Sequence, residues 1–131
     1  VVIVVDTSAL VAILKVEPDA AEVLRCLGES RTNRISTATL LEAQLVVISQ
    51  LGDSGLAELE LLLSRAQIQP VPFESNHLHW ALHGWRHYGR GRHKAALNLG
   101  DCFSYGLAKA LDAPLLFKGE DFPYTDAKVA R

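Results

Sequence analysis

A chain of 131 residues, 49% of them hydrophobic, amounts to one domain with enough apolar side chains for a real core. No apolar run approaches the roughly 20 residues of a membrane span, and the opening VVIVV is too short for a signal peptide and lacks a basic flank. Cys26 and Cys102 show neither metal-type nor redox-type spacing, so a reduced, cytoplasmic protein is expected; the net charge of −2 does not announce a nucleic-acid binder.

Residues 1–5 are β-branched and apolar, as in a strand buried on both faces. Asp6-Thr7-Ser8 can cap a helix running to about Lys15, and Pro18 suits the start of a second helix that ends near Gly28. NRIS (33–36) reads as a short second strand. A strongly apolar helix follows from Thr37 to about Gly52, and another over 54–67. IQPV (68–71) is a strand that Pro70 confines to an edge or a strand end. The stretch 75–88 is helical and stops at Gly89. A basic loop then leads to a helix that Asn98 caps and that carries Asp101. PLLF (114–117) is a last, short apolar strand.

Strands alternating with helices predict a single α/β domain over 1–131 with a short, mostly parallel sheet. In such sheets the ligand crevice lies outside the carboxyl ends of the strands. Asp6 directly follows the first strand, and Asp121 follows the last clear one.

Four acids carry the functional reading: Asp6, Glu42, Asp101 and Asp121. Each also has an ordinary use. Asp6 and Asp101 suit helix N-termini, which favour acceptors and negative charge. Asp121 suits a solvated turn. Glu42 sits in TATLLEAQLVVISQL, apolar nearly all round, with no lysine or arginine at helical spacing to pair with it. An ionised carboxylate there costs several kcal/mol unless a cation meets it. Converging carboxylates repel, and a hard divalent cation such as Mg²⁺ or Mn²⁺ removes that repulsion. A metal so held can activate water and stabilise an in-line phosphoryl displacement.

VVDTSALVAIL, STATLLEA and LNLGDCFSYGLAKALDAPLLFKGEDF together resemble the PIN-domain ribonucleases, and most closely the VapC-type toxins of bacterial type II toxin–antitoxin systems. The resemblance covers essentially the whole chain. It implies a three-layer α/β/α sandwich and Mg²⁺-dependent cleavage of RNA, with Mn²⁺ as substitute. It further implies growth inhibition until a VapB-like antitoxin lays its C-terminal segment over the active site, and a homodimer or a higher toxin–antitoxin assembly. Carried onto this chain, Asp6 and Asp101 are metal ligands, and Glu42 is a ligand or orients a water on the metal. Ser8 supports the site or merely caps its helix. Relatives often carry a threonine-and-aspartate version of the segment written here FKGEDF; Asp121 is the choice for the fourth acid and Glu120 its rival.

RHYGRGRHK (86–94) is expected to be a loose, glycine-containing loop whose Arg90, Arg92 and Lys94 meet RNA phosphates. Tyr88 is a candidate for stacking on an unpaired base. A solvated loop is the plain alternative. His79, His83 and His87 share a helical face, but no carboxylate or cysteine completes a zinc set, and Trp80 and Trp85 are expected to pack. The leucines of 40–63 exceed what a small core hides, so exposed apolar grooves are expected. Three other readings compete. A receiver-type signalling domain needs an acid pair at the first strand and an aspartate after the third, and this chain has neither. A non-catalytic PIN-like module that binds RNA or a partner would not need Asp6, Glu42 and Asp101 together. A dinucleotide site would need a glycine-rich loop after the first strand.

Overall fold

The alternation of Val2–Val5 builds the centre of the molecule. Ile3 and Val5 point into one apolar cluster and Val4 into another, so this strand (β1, Val2–Val5) is buried on both faces as expected. The computed structural model describes residues 2–30, 32–119 and 121–130. The elements after β1 are α1 (Thr7–Leu14), α2 (Ala20–Glu29), β2 (Thr32–Ser36), α3 (Thr37–Arg65), β3 (Ile68–Val71), α4 (Ser75–Tyr88), α5 (Leu99–Leu111) and β4 (Leu115–Leu116). A single 3₁₀ turn, Phe122–Tyr124, follows.

The four strands form one sheet in the order β3-β2-β1-β4, and every pairing is parallel. Parallel neighbours need long crossovers, and each helical segment between strands provides one. The chain moves outward from β1 to β2 and β3, then returns to place β4 on the other side of β1. The switch in strand order therefore falls between β1 and β4, the point at which open α/β sheets form their ligand crevice. A receiver-type sheet has the order 2-1-3-4-5, which this is not.

Helices cover both faces. Ala9 and Leu10 of α1, Val23 and Leu27 of α2, and Ala43, Val47 and Leu59 of α3 bury one side. Ala81 of α4 and Tyr105, Leu107 and Ala108 of α5 bury the other. The result is the expected three-layer α/β/α sandwich.

Local differences from expectation have local causes. The two helices read over 37–67 are segments of α3 that meet at Gly52, whose φ of 71° and ψ of −166° break the helical path. Glycine reaches that φ without a Cβ penalty. The second segment ends at Arg65, and α2 starts at Ala20, after Pro18 and its flanking Asp19. β3 is an edge strand, as Pro70 requires. Only Leu115 and Leu116 of PLLF join the ladder. The C-terminal segment covers the outer edge of β4, where the Leu115 N–H donates to the Lys128 carbonyl (2.8 Å) and the Ala130 N–H to the Leu115 carbonyl (3.0 Å). Nothing in the sequence announces that edge cover.

Candidate active site

Asp6 leaves β1 at the switch point, its N–H donating to the Leu116 carbonyl of β4 (3.0 Å). It is the N-cap of α1 and only 4% exposed. Its Oδ2 accepts from the Ser8 N–H (3.1 Å) and the Ser8 hydroxyl (2.7 Å), and its Oδ1 accepts from the Ser104 hydroxyl (2.5 Å). Because Ser104 donates to Asp6, Thr39 is the donor in the 3.2 Å contact between Thr39 Oγ1 and Ser104 Oγ. A carboxylate with donors on both oxygens is fixed in place.

Glu42 comes from α3, one turn beyond Thr39, and is half-buried. Thr7 Oγ1 donates to its Oε1 at 2.6 Å. Burial raises its pKa; the Thr7 bond opposes the rise and the charge of Asp6 adds to it. The start of α5 lies directly against this side chain. A Cβ built on Gly100 would collide with Glu42 Oε2, so glycine is needed there for the acid to keep its place.

Asp101 sits in the first turn of α5. Its Oδ2 accepts from the Asn98 N–H (3.0 Å) while its own N–H donates to Asn98 Oδ1 (2.8 Å), a reciprocal capping box. Burial pushes its pKa up to about 7; the bond from Asn98 opposes this, and the charges of Asp6, Asp121 and Glu42 all add to it. Those three acids therefore lie within electrostatic reach of the fourth. Asp121 is exposed at the start of the 3₁₀ turn. Glu120, the rival for its part, lies outside the described residues.

Among the described residues, no lysine, arginine or histidine forms an ion pair with any of the four acids. Nor do any three His, Cys, Asp or Glu side chains among them stand close enough to hold a metal ion unaided. The acids are neighbours, each held by its own hydroxyl or amide donors, and not a closed cage. The chemistry of the donors still fits a hard cation: every group is an oxygen, and no described cation pairs with the negative charge.

The basic loop departs from expectation. It is a folded turn, not a loose one. Arg90 N–H donates to the Leu97 carbonyl and Leu97 N–H to the Tyr88 carbonyl, both at 2.9 Å, while Ala95 and Leu97 are fully buried. Burial of those two side chains outweighs the freedom that Gly89 and Gly91 confer. Arg90, Arg92 and Lys94 lie on the turn, with Arg90 and Lys94 exposed and Arg92 also exposed between them. Lys94 Nζ lies 4.7 Å from the centre of the Tyr124 ring, which brings the loop beside the turn that Asp121 begins. Tyr88 is half-buried, with its ring 5.2 Å from that of His93 and 6.1 Å from that of Tyr105, so it packs among neighbouring rings.

Two apolar grooves open on the surface. One, of about 580 Å³, lies between α4 and α5 and is lined by Phe73, Leu82, Trp85, Leu99 and Phe103. The other, of about 390 Å³, lies between α2 and the second segment of α3. Leu41, Leu45 and Ile48 are exposed as expected, whereas Leu59 belongs to the core. Trp85, expected to pack, borders the first groove.

Sequence reasoning named all four acids and Ser8. It missed Thr7, Thr39, Ser104 and Gly100. The signal was spacing: Thr39 lies three residues before Glu42 and Ser104 three after Asp101, one helical turn from an acid on an otherwise apolar helix.

A family model described as PIN domain matches residues 3–128. The "VapC ribonuclease Mb0640" of Mycobacterium bovis is 49% identical over 123 residues, covering 94% of each chain. Two solved structures share the fold at 16% identity. One is a VapBC2 of Rickettsia felis bound to a DNA fragment from their promoter, with a TM-score of 0.76, covering 98% of this chain and 96% of that one. The other is a toxin–antitoxin complex from Klebsiella pneumoniae, with a TM-score of 0.72 and coverage of 96% and 94%.

Proposed function

The chain belongs to the PIN-domain family, and from that premise we propose that it is a divalent-metal-dependent endoribonuclease, the VapC-type toxin of a toxin–antitoxin pair. The observation that carries the reading is that α5 brings Asp101 to the switch point between its neighbours Gly100, which lies against the Glu42 carboxylate, and Ser104, which bonds Asp6, with no ion-pairing cation for these acids among the described residues. Asp6 and Asp101 would hold Mg²⁺, or Mn²⁺ in its place; Glu42 would act as a further ligand or orient a water on the metal, and Asp121 would stand at the rim. When bound, the metal supplies Lewis-acid charge and lowers the pKa of water for attack on a phosphodiester.

The remaining work falls to the chain's own groups. Ser8 and Ser104 fix both oxygens of Asp6, so the first ligand is oriented before the metal arrives. Thr7 fixes one oxygen of Glu42. Arg90, Arg92 and Lys94 bind RNA phosphates next to the Asp121 turn and give affinity without sequence information.

The relatives' names and the toxin–antitoxin complex among the structural neighbours support an antitoxin partner. In this reading its C-terminal segment covers the acids and blocks RNA. The free toxin inhibits translation and growth in the cytoplasm, and the toxin is a homodimer that joins a larger assembly with its antitoxin. No helix among the described residues is long and apolar enough to cross a membrane.

The test is cleavage of a mixed cellular RNA pool by the purified chain with Mg²⁺, with Mn²⁺ and with EDTA, beside Asp101→Asn. The expected result is cleavage that needs the metal and the aspartate. Folded protein that neither cleaves nor binds Mn²⁺ would favour a non-catalytic module.

A further inference from the structure

One residue of the segment after β4 holds α1 near both of its ends. The backbone N–H of Lys118 donates to Ser8 Oγ (2.9 Å), and Ser8 Oγ donates to Asp6 Oδ2 (2.7 Å). The side chain runs the other way. Its Nζ donates to Glu17 Oε2 (2.7 Å) and lies 3.6 Å from Asp19 Oδ1.

Ser8 is in the first turn of α1, while Glu17 and Asp19 lie in the bend between α1 and α2. Lys118 thus grips the helix near its start and just beyond its end. The far anchor is a tight bend: Val16 has a positive φ of 51°, and the Glu17 N–H donates to the Ala12 carbonyl (2.9 Å). The side chains of Lys118, Glu17 and Asp19 are 35%, 29% and 29% exposed, so the three charges sit partly out of water. Exposed pairs contribute little, but a half-buried lysine between two carboxylates keeps one position. Immediately after Lys118 the chain turns at Gly119, with φ of 116°, and reaches Asp121 two residues later.

This lysine lies three residues before Asp121 yet spends its charge elsewhere. Its ammonium neutralises Glu17 and Asp19 and not the acid cluster. We propose that Lys118 is a positioning residue of that cluster: anchored on Glu17 and Asp19, it holds its own N–H against Ser8 and thereby sets Asp6 and Asp121 for a divalent cation. This rests on the metal-dependent reading above.

The test is Mn²⁺ titration calorimetry on the full, antitoxin-free chain, with kcat, KM and melting temperature, for wild type, Asp6→Asn, Lys118→Met, Lys118→Arg and Glu17→Gln. Lys118→Met is expected to weaken Mn²⁺ about tenfold, the low end of what supporting partners of metal ligands contribute. Its kcat should fall while KM for RNA holds, because the basic loop is untouched. Arginine should restore most of the affinity. Glu17→Gln loosens the same anchor from its other end and should shift affinity in the same direction by less, so the idea stays testable if Lys118→Met folds poorly. Wild-type Mn²⁺ affinity and kcat in both Lys118→Met and Glu17→Gln, even with a lower melting temperature, would make the lysine a plain structural strap and overturn the proposal. Wild-type protein whose Mn²⁺ binding is absent, or unaffected by Asp6→Asn, would overturn the metal reading itself and the proposal with it.

Discussion

Asp6 and Asp101 do the same local job and live in different surroundings. Each sits at a helix N-terminus, one capping α1 and the other completing the capping box of α5. Asp6 receives three donors, from Ser8 twice and Ser104 once, spread over both oxygens. Among the described residues Asp101 receives one, from the Asn98 backbone, and burial together with three neighbouring acids pushes its pKa to about 7. A cap is therefore not enough to describe either residue. What separates them is how far the protein itself satisfies the negative charge, and that difference makes Asp6 the fixed member of the pair and, in the proposed reading, Asp101 the one a cation would relieve.

The sharpest way to break this comparison is to remove each charge in turn. Asp6→Asn and Asp101→Asn should both reduce RNA cleavage and growth toxicity to background, because a carboxamide holds Mg²⁺ poorly. Their stabilities should diverge. Asparagine at position 6 faces the serine hydroxyls with an NH₂ group that cannot accept, which should cost about 1–2 kcal/mol in metal-free chemical unfolding. Asparagine at position 101 can still accept from Asn98 and relieves the repulsion, so it should unfold no more easily than wild type. Equal destabilisation of the two would erase the distinction.

Gly100→Ala should come next in size. The added Cβ collides with the Glu42 carboxylate, the far end of a side chain held there by one bond from Thr7, so the acid moves and the helix does not. Cleavage should fall about a hundredfold, the scale of a ~1 Å misplacement. The melting temperature should hold or rise, since alanine suits a helix better than glycine. A smaller effect is expected from Arg90→Ala, Arg92→Ala and Lys94→Ala combined. RNA binding should weaken, and the slope of log K against log salt should become shallower by about 0.7 for each phosphate the loop no longer neutralises. An unchanged slope would mean that the loop does not touch phosphate.

Much of this was legible in the sequence, because the strong signals are local. The buried β1, the break at Gly52, the edge position demanded by Pro70 and the acids at strand ends all follow from residue type and spacing. Glu42 stood out because an acid on an apolar helix needs a reason. What escaped notice depends on distant segments meeting. Ser104 reaches Asp6 across 98 positions and Lys118 reaches Ser8 across 110. The basic loop read as loose because its glycines are visible in sequence, whereas the burial of Ala95 and Leu97 is a tertiary fact. The spacing of Thr39 and Ser104 shows a hydroxyl one turn from an acid, but not that Ser104 bonds Asp6, which only the fold brings to it.

The most delicate test titrates Asp101. Asp101 has an ordinary value of 3.8 and a folded value of about 7. The folded state thus holds this proton more tightly than the unfolded chain does. The stability the protonated group contributes is fully present below about pH 4 and is lost as pH rises towards 7, the reverse of a salt-bridged aspartate. The melting temperature of metal-free wild type, minus that of Asp101→Asn, should therefore decline across about pH 4–7 and level off above it. Saturating Mg²⁺ should lift wild type more at about pH 8 than at about pH 5.5, because the proton and the cation compete for the same carboxylate. A difference that stays flat across that whole range would mean that Asp101 ionises as freely as an exposed aspartate, and its contrast with Asp6 would then reduce to hydrogen bonds alone.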